Sequence, residues 1–337
     1  MTYDVTLIPG DGIGPEITAQ TVRAVEATGV SFSWDEQIAG MAAVTAHDDP
    51  LPEATLASIR KRRVALKGPL TTPVGDGYRS VNVALRKEFE LYANVRPAVT
   101  IAPGRYDKVD IVLVRENVEG LYSGVEHFIK VGDDPRAVGV SQAIVTRYSC
   151  ERIVRYAFEY AVRHGRKKVV IVHKANILKM ASGLFLEVGR AIAEEYEGRV
   201  TSSDLIVDNC AMQLVLKPEQ FDVIVTTNLF GDILSDEISG LVGGLGLTPG
   251  GNIGTECAVF EAVHGSAPDI AGKGVANPSA QMLAAAMMLD HLGELDAATR
   301  LRRAIVAVIR DAGIKTRDLG GTASTREFGD AVTARIG

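Results

Sequence analysis

Cysteine is scarce, with three in 337 residues: Cys150, Cys210 and Cys257. They stand too far apart for a zinc-binding spacing or a disulfide framework, so reduced thiols are expected. A basic surplus is also missing. Acidic side chains outnumber basic ones, 42 to 36, for a formal net charge of -6. That balance argues against a nucleic-acid partner but leaves room for a locally basic pocket that takes an anionic small molecule. No apolar run approaches a membrane span, and 282–289 is among the longest. A strand pattern begins by Tyr3, which leaves no space for a signal sequence. The expected location is cytoplasmic, the alternative being a mature form trimmed of a presequence. What is present is ordinary globular composition, 46% hydrophobic and 23% charged, over a length that suits about two domains.

Strand-like runs alternate with helix-like ones almost from end to end. Residues 5–8 predict a strand, Pro9-Gly10-Asp11-Gly12-Ile13-Gly14-Pro15-Glu16 a turn, and 17–28 a helix with Pro15 suited to its first turn. Further strands are expected at 65–66, 111–114, 169–172, 205–207 and 223–225, and helices at 150–164, 182–197, 229–240, 279–292 and 296–312. This alternation predicts an α/β fold with a substantially parallel sheet. The middle differs: 121–130 and 139–146 are strand-like and joined by the polar turn Gly132-Asp133-Asp134-Pro135, which reads as inserted antiparallel structure.

Glycines after the first strand invite comparison with the dinucleotide fingerprint. Pro15 stands where that pattern needs Gly or Ala, and proline has no N–H to offer pyrophosphate, so a Rossmann nucleotide site is rejected. Arg86, Arg96 and Arg115 fall on separate elements. Convergent guanidinium forks suit a polycarboxylate, although each arginine alone also reads as a surface ion pair. Asp232 and Asp236 share one helix face and repel unless a cation lies between them. With Asp208, expected at a strand end, they form a hard-oxygen set that selects Mg²⁺ or Mn²⁺ over zinc. Solvated helix aspartates are the plainer reading, weakened because Ile233, Leu234 and Ile238 make this helix read as largely buried. Tyr122 and Lys174 are candidate proton carriers, Lys174 because it directly follows an apolar strand. The segment from Glu261 through His264 to Ile270, with Asn277 beyond it, reads as a binding loop or an ordinary surface loop.

Together these segments resemble the β-decarboxylating dehydrogenases, the family of isocitrate, isopropylmalate and homoisocitrate dehydrogenases. The resemblance runs from Ile8 to Gly321. It is carried by Lys67-Gly68-Pro69-Leu70-Thr71-Thr72-Pro73-Val74-Gly75, Leu91-Tyr92-Ala93-Asn94-Val95-Arg96-Pro97, His173-Lys174-Ala175-Asn176, Gly231-Asp232-Ile233-Leu234-Ser235-Asp236 and Gly243-Gly244-Leu245-Gly246-Leu247-Thr248-Pro249-Gly250. It implies an α/β fold of the isopropylmalate/isocitrate dehydrogenase type, two domains around a mixed parallel sheet, that binds NAD(P) without a Rossmann fold. Residues 1–99 with 252–337 would form the large domain carrying the NAD loops. Residues 100–251 would form the small domain, with dimerisation, metal ligands and the catalytic lysine. A homodimer or higher homo-oligomer is implied, each active site taking Lys174 and Asp208 from one copy of the chain and Tyr122, Asp232, Asp236 and the arginines from the other. By the same resemblance, Tyr122 and Lys174 are the catalytic pair. Thr72, Ser80, Asn82, Arg86, Arg96, Arg115, Tyr122, Lys174 and Asn176 bind substrate, and Asp208, Asp232 and Asp236 bind metal. Thr72, His264, Gly265, Ser266, Ala267, Asp269, Ile270 and Asn277 bind the cofactor.

Within that family the segment before Arg86 selects the substrate. Ser80 and Asn82 stand there as in isocitrate dehydrogenases, where they contact the distal carboxylate, whereas isopropylmalate enzymes carry bulky apolar residues. Isocitrate is therefore the expected substrate. Homoisocitrate is the competitor, because 206–214 and 264–270 resemble homoisocitrate enzymes equally well. A non-catalytic regulatory role is a lesser alternative, since the whole residue set is intact. NADP-using relatives carry a Lys-Tyr pair where this chain has Asp269-Ile270. A carboxylate there accepts hydrogen bonds from ribose hydroxyls and repels a 2′-phosphate, so NAD is the expected cofactor, with Mg²⁺ or Mn²⁺. Lys174 would handle the hydroxyl proton and Tyr122 would protonate C3.

Overall fold

The computed structural model describes residues 1–73, 77–78, 80–102, 106–311 and 313–337. Val74 and Gly75 of the motif quoted above, and the expected helix end at Ala312, lie outside the described residues. In chain order the described strands are β1 (Thr2–Ile8), β2 (Ser31–Glu36), β3 (Val64–Lys67), β4 (Ala93–Val99), β5 (Asp110–Glu116), β6 (Gly120–Val131), β7 (Asp134–Ile144), β8 (Lys168–His173), β9 (Thr201–Ile206), β10 (Val223–Thr226), β11 (Pro249–Ile253) and β12 (Ala258–Ala262). The chain divides into two compact units. Unit 1 is Met1–Leu91, Arg96–Val109 and Ile238–Gly337; unit 2 is Tyr92–Val95 and Asp110–Glu237.

In unit 1 the strands run β2-β1-β3-β12-β11, parallel except where β11 meets β12. The central strand β3 is a continuous buried run, the pattern of a strand covered on both faces. The helix Ser279–His291 packs through small residues, with Ala284, Ala285 and Ala286 fully buried in one core with Phe260, Ile305 and Phe328. The expected helix after the glycine turn spans Gly14–Glu26, with Pro15 in its first turn.

In unit 2 the strands run β5-β10-β8-β9, all parallel. Their apolar runs Ile111 to Val114, Val169 to Val172 and Val223 to Val225 are buried, with Ile153, Phe158 and Phe185 packed from the helices Arg147–Arg163 and Ala181–Glu195. The expected antiparallel insertion is the hairpin β6-β7, which turns at Gly132-Asp133 and is exposed over most of its length.

Two local expectations fail. The strand expected at 205–207 ends at Ile206, and Val207 opens the helix Val207–Leu216. Cys210 and Leu214, four residues apart and both fully buried, are the helical signal that outweighs the short apolar run. The helix Asn228–Leu241 is not largely buried: Leu234 and Ile238 are, but Ile233 is 59% exposed on another face.

Candidate active site

Unit 1 contributes a buried charge network. The parallel register sets Lys67 beside Glu261 at the ends of β3 and β12, and Lys67 Nζ lies 2.6 Å from Glu261 Oε2. Asn252 of β11 donates to Glu261 Oε1 at 2.7 Å, and Arg86 Nη2 lies 3.9 Å from the same oxygen. Burial alone would raise the Glu261 carboxyl, but Lys67, then Arg86, outweigh it and hold the group down to about 2. Arg86 sits on the helix Val81–Glu88, one turn after Asn82. The Asn82 Oδ1 is buried without a hydrogen-bond partner among the described residues. Ser80 caps the same helix, accepting from Val83 N at 3.4 Å. Arg96 is buried on β4.

The loop after β12 is the second feature of unit 1. His264 Nδ1 lies 2.9 Å from Gly265 O, while Nε2 is buried without a partner among the described residues. Burial lowers the His264 pKa, so the ring is neutral near pH 7. The Ser266 hydroxyl is 2.7 Å from that of Thr71, which brings exposed Thr72 beside the loop. Ala267 takes the left-handed region at φ +39°. Ile270 packs with Ile13, Ile17 and Ala276, while Asp269 is exposed. Asn277 donates to Asp318 and accepts from Ser279 N, both at 2.9 Å, so its side chain anchors the chain entering the helix Ser279–His291. An orphaned buried nitrogen, an open glycine at Gly265 and an exposed carboxylate suit a nucleoside with ribose hydroxyls.

Unit 2 carries two further clusters. Arg115, 1% exposed, donates to Asn228 Oδ1 through Nε at 3.0 Å and Nη2 at 2.8 Å, and its Nη1 meets Asp232. Tyr122 also hydrogen-bonds Asp232, and the Arg115 guanidinium lies 5.1 Å from the Tyr122 ring centroid. Burial, then Asp232, raises the Tyr122 phenol above its ordinary value. In the other cluster Lys174 pairs with Asp208, and that hydrogen bond lowers the Asp208 carboxyl. Asp208 lies in the first turn of its helix, two residues past the strand end. Asp236 and Asn176 are exposed. Three carboxylates without His or Cys have the donor chemistry of a hard divalent cation. Among the described residues, however, no group of three or more His, Cys, Asp or Glu gathers in a geometry that could hold a metal ion.

Sequence reasoning gave no role to Lys67, Asn228, Asn252 or Glu261. Lys67 was signalled by its place at the end of an apolar run; Glu261 stood in the quoted loop without a partner to explain it.

The family profile described as isocitrate/isopropylmalate dehydrogenase matches residues 4–332. The chain belongs to that family. It is 58% identical to isocitrate dehydrogenase from Methylococcus capsulatus, a crystal structure that superposes with a TM-score of 0.96 over 99% of each chain. It is 48% identical to an Arabidopsis thaliana protein named as a mitochondrial catalytic subunit of NAD isocitrate dehydrogenase, over 97% of this chain and 87% of that one. It is 46% identical to a Dictyostelium discoideum protein named as a mitochondrial regulatory subunit of NAD isocitrate dehydrogenase, over 98% and 91%. The expected fold type and the absence of a Rossmann fold therefore hold, and family membership makes the chain an oxidoreductase. The cytoplasmic expectation is overturned: these curated relatives are named mitochondrial, and the pattern at the start of the sequence carries no information on location.

Proposed function

We propose that the chain is a catalytic NAD-dependent isocitrate dehydrogenase that converts isocitrate to 2-oxoglutarate and CO₂ with Mg²⁺ or Mn²⁺. The observation that carries the choice of substrate is the Asn82–Arg86 face: a buried amide oxygen without a partner among the described residues stands one turn before a buried guanidinium. Leaving such a group unpaired costs about 1–3 kcal/mol. Because an amide's two ends exchange by a flip, Asn82 can instead present N–H to a distal carboxylate, a contact that an isopropyl group could not use.

Arg86, Arg96 and Arg115 fix carboxylates, and so orient the C2 hydroxyl. Lys174 takes the hydroxyl proton and Tyr122 gives one to C3. Burial, then Asp232, raises the Tyr122 phenol, so it stays protonated, the form from which a proton donor starts. NAD, when bound, would supply the hydride acceptor, and Asp208, Asp232 and Asp236, shared between two copies of the chain, would hold a divalent cation that supplies Lewis-acid stabilisation of developing negative charge. Thr72, His264, Gly265, Ser266, Ala267, Asp269, Ile270 and Asn277 form the nucleotide side, where the exposed Asp269 carboxylate favours ribose hydroxyls over a 2′-phosphate. A regulatory role, suggested by the name of one relative, is disfavoured because the catalytic and metal residues are all intact.

We also propose a homodimer with shared sites. That Asp208, Asp232 and Asp236 do not gather as a metal-holding group among the described residues supports it, as do the exposed apolar side chains of unit 2. Phe128, Val131, Leu216 and Ile233 are each 58% exposed or more. NADH formation measured with isocitrate, homoisocitrate and 3-isopropylmalate tests the function, each substrate with NAD and NADP. Isocitrate with NAD should give the highest kcat/KM; a higher value for homoisocitrate, or no turnover of any substrate, would overturn the reading.

A further inference from the structure

Asp11, in the glycine turn after β1, is buried and takes no part in the reaction outlined above. Its carboxylate accepts three backbone N–H groups from two other segments: Met41 at 3.1 Å, Ala42 at 3.2 Å and Thr71 at 2.8 Å. The first two open the helix Met41–His47, whose N-cap Gly40 supplies no side-chain acceptor. Gly40 has φ +71°, and a Cβ there would strike the Asp11 carboxylate, so glycine lets the helix start close on it.

The turn's backbone is tied down as well. Asp11 N donates to Pro69 O at 2.7 Å and Ile13 N to Ser266 O at 2.9 Å. The Thr71 and Ser266 hydroxyls meet at 2.7 Å. One buried carboxylate thus joins the turn and the Thr71-Thr72 segment and, through both, reaches the loop that holds Ser266 and the left-handed Ala267.

We propose that Asp11 is a positioning residue for nucleotide binding, setting the Thr72 segment and the 264–270 loop before the cofactor arrives. The inference rests on the reading of those loops as the NAD side. A loop ordered in advance loses less freedom on binding, and an alanine at positive φ persists only where its surroundings hold it. In Asp11→Asn one acceptor oxygen becomes an NH₂ that cannot accept, so at least one of the three backbone donors loses its partner.

The test is amide hydrogen exchange on the unliganded protein together with NADH titration by fluorescence. In Asp11→Asn, exchange in peptides covering 69–73 and 264–272 should rise by about tenfold or more while β8 and β10 keep their protection. The Kd for NADH should weaken by about tenfold. Thr71→Val removes only the hydroxyl link to Ser266 and should move both readouts the same way, by less; it decides the matter if Asp11→Asn does not fold. Folded variants with unchanged loop exchange and unchanged NADH affinity would overturn the proposal. Wild-type protein that binds no nicotinamide nucleotide would instead overturn the reading of the loops, and this inference with it.

Discussion

The charged groups of the two units are finished to different degrees. In unit 1, Lys67, Arg86, Asn252 and Glu261 close on one another in a dry network made by strand register and one helix. In unit 2, Arg115 and Tyr122 meet Asp232, and Lys174 pairs with Asp208, whose side chain is 67% exposed. Apolar burial follows the same division. The core of unit 1 is enclosed around the helix Ser279–His291, whereas unit 2 leaves Phe128, Leu216 and Ile233 in solvent. A network complete within one chain serves the fold and presents a fixed wall. The exposed apolar side chains of unit 2 are the observation behind the proposed pairing with a second copy of the chain.

The sharpest way to break the unit 1 side is Lys67→Met, which strands the Glu261 charge. A loss of about 3–5 kcal/mol is expected in denaturant unfolding. The pH dependence has a definite sign. Glu261 is held near 2 against an ordinary 4.5, so in the wild type its contribution is full above about 4.5 and is lost as pH falls toward 2. Without Lys67 that carboxyl protonates more readily in the folded state, so the variant's deficit should shrink in acid. A deficit constant from pH 7 to 3 would contradict the network.

On the unit 2 side, Gly231→Ala puts a methyl group 2.7 Å from Arg115 Cβ and 2.5 Å from its Cγ. The guanidinium must shift from Asn228 and Asp232, and kcat/KM for isocitrate should fall by about a hundredfold. An active Gly231→Ala enzyme would remove Arg115 from the account. Ile233→Lys tests the exposed face. It should weaken self-association by about thirtyfold, a hot-spot effect near 2 kcal/mol, as read by sedimentation equilibrium, with Tm of the separated chains unchanged. The smallest effect expected is in cofactor choice. Asp269→Lys with Ile270→Tyr should shift the NAD-to-NADP ratio of kcat/KM by about tenfold or more, from loss of one charge-assisted hydrogen bond.

The alternating α/β order and the inserted hairpin were legible because long apolar runs and a Gly-Asp turn carry strong local signals. What was not legible came from packing. The link of Lys67 to Glu261 joins residues 194 positions apart by strand register, and no spacing rule reports that. The exposure of Ile233 depends on which helix face meets the sheet, and three apolar residues in one stretch do not specify it. The arginines, aspartates, Tyr122 and Lys174 were each ambiguous alone; only their joint resemblance to one family separated them from surface ion pairs.

Under the proposed shared-site homodimer, Lys174–Asp208 of one copy of the chain completes Arg115–Asp232–Tyr122 of the other. Lys174→Met and Asp232→Asn, each inactive alone, should be mixed, dissociated and reassociated. If sites are shared, each mixed dimer holds one intact site and one doubly altered site, and about a quarter of wild-type activity should return. Mixtures that stay inactive although mixed dimers form would place both clusters in one site of a single chain and contradict the account.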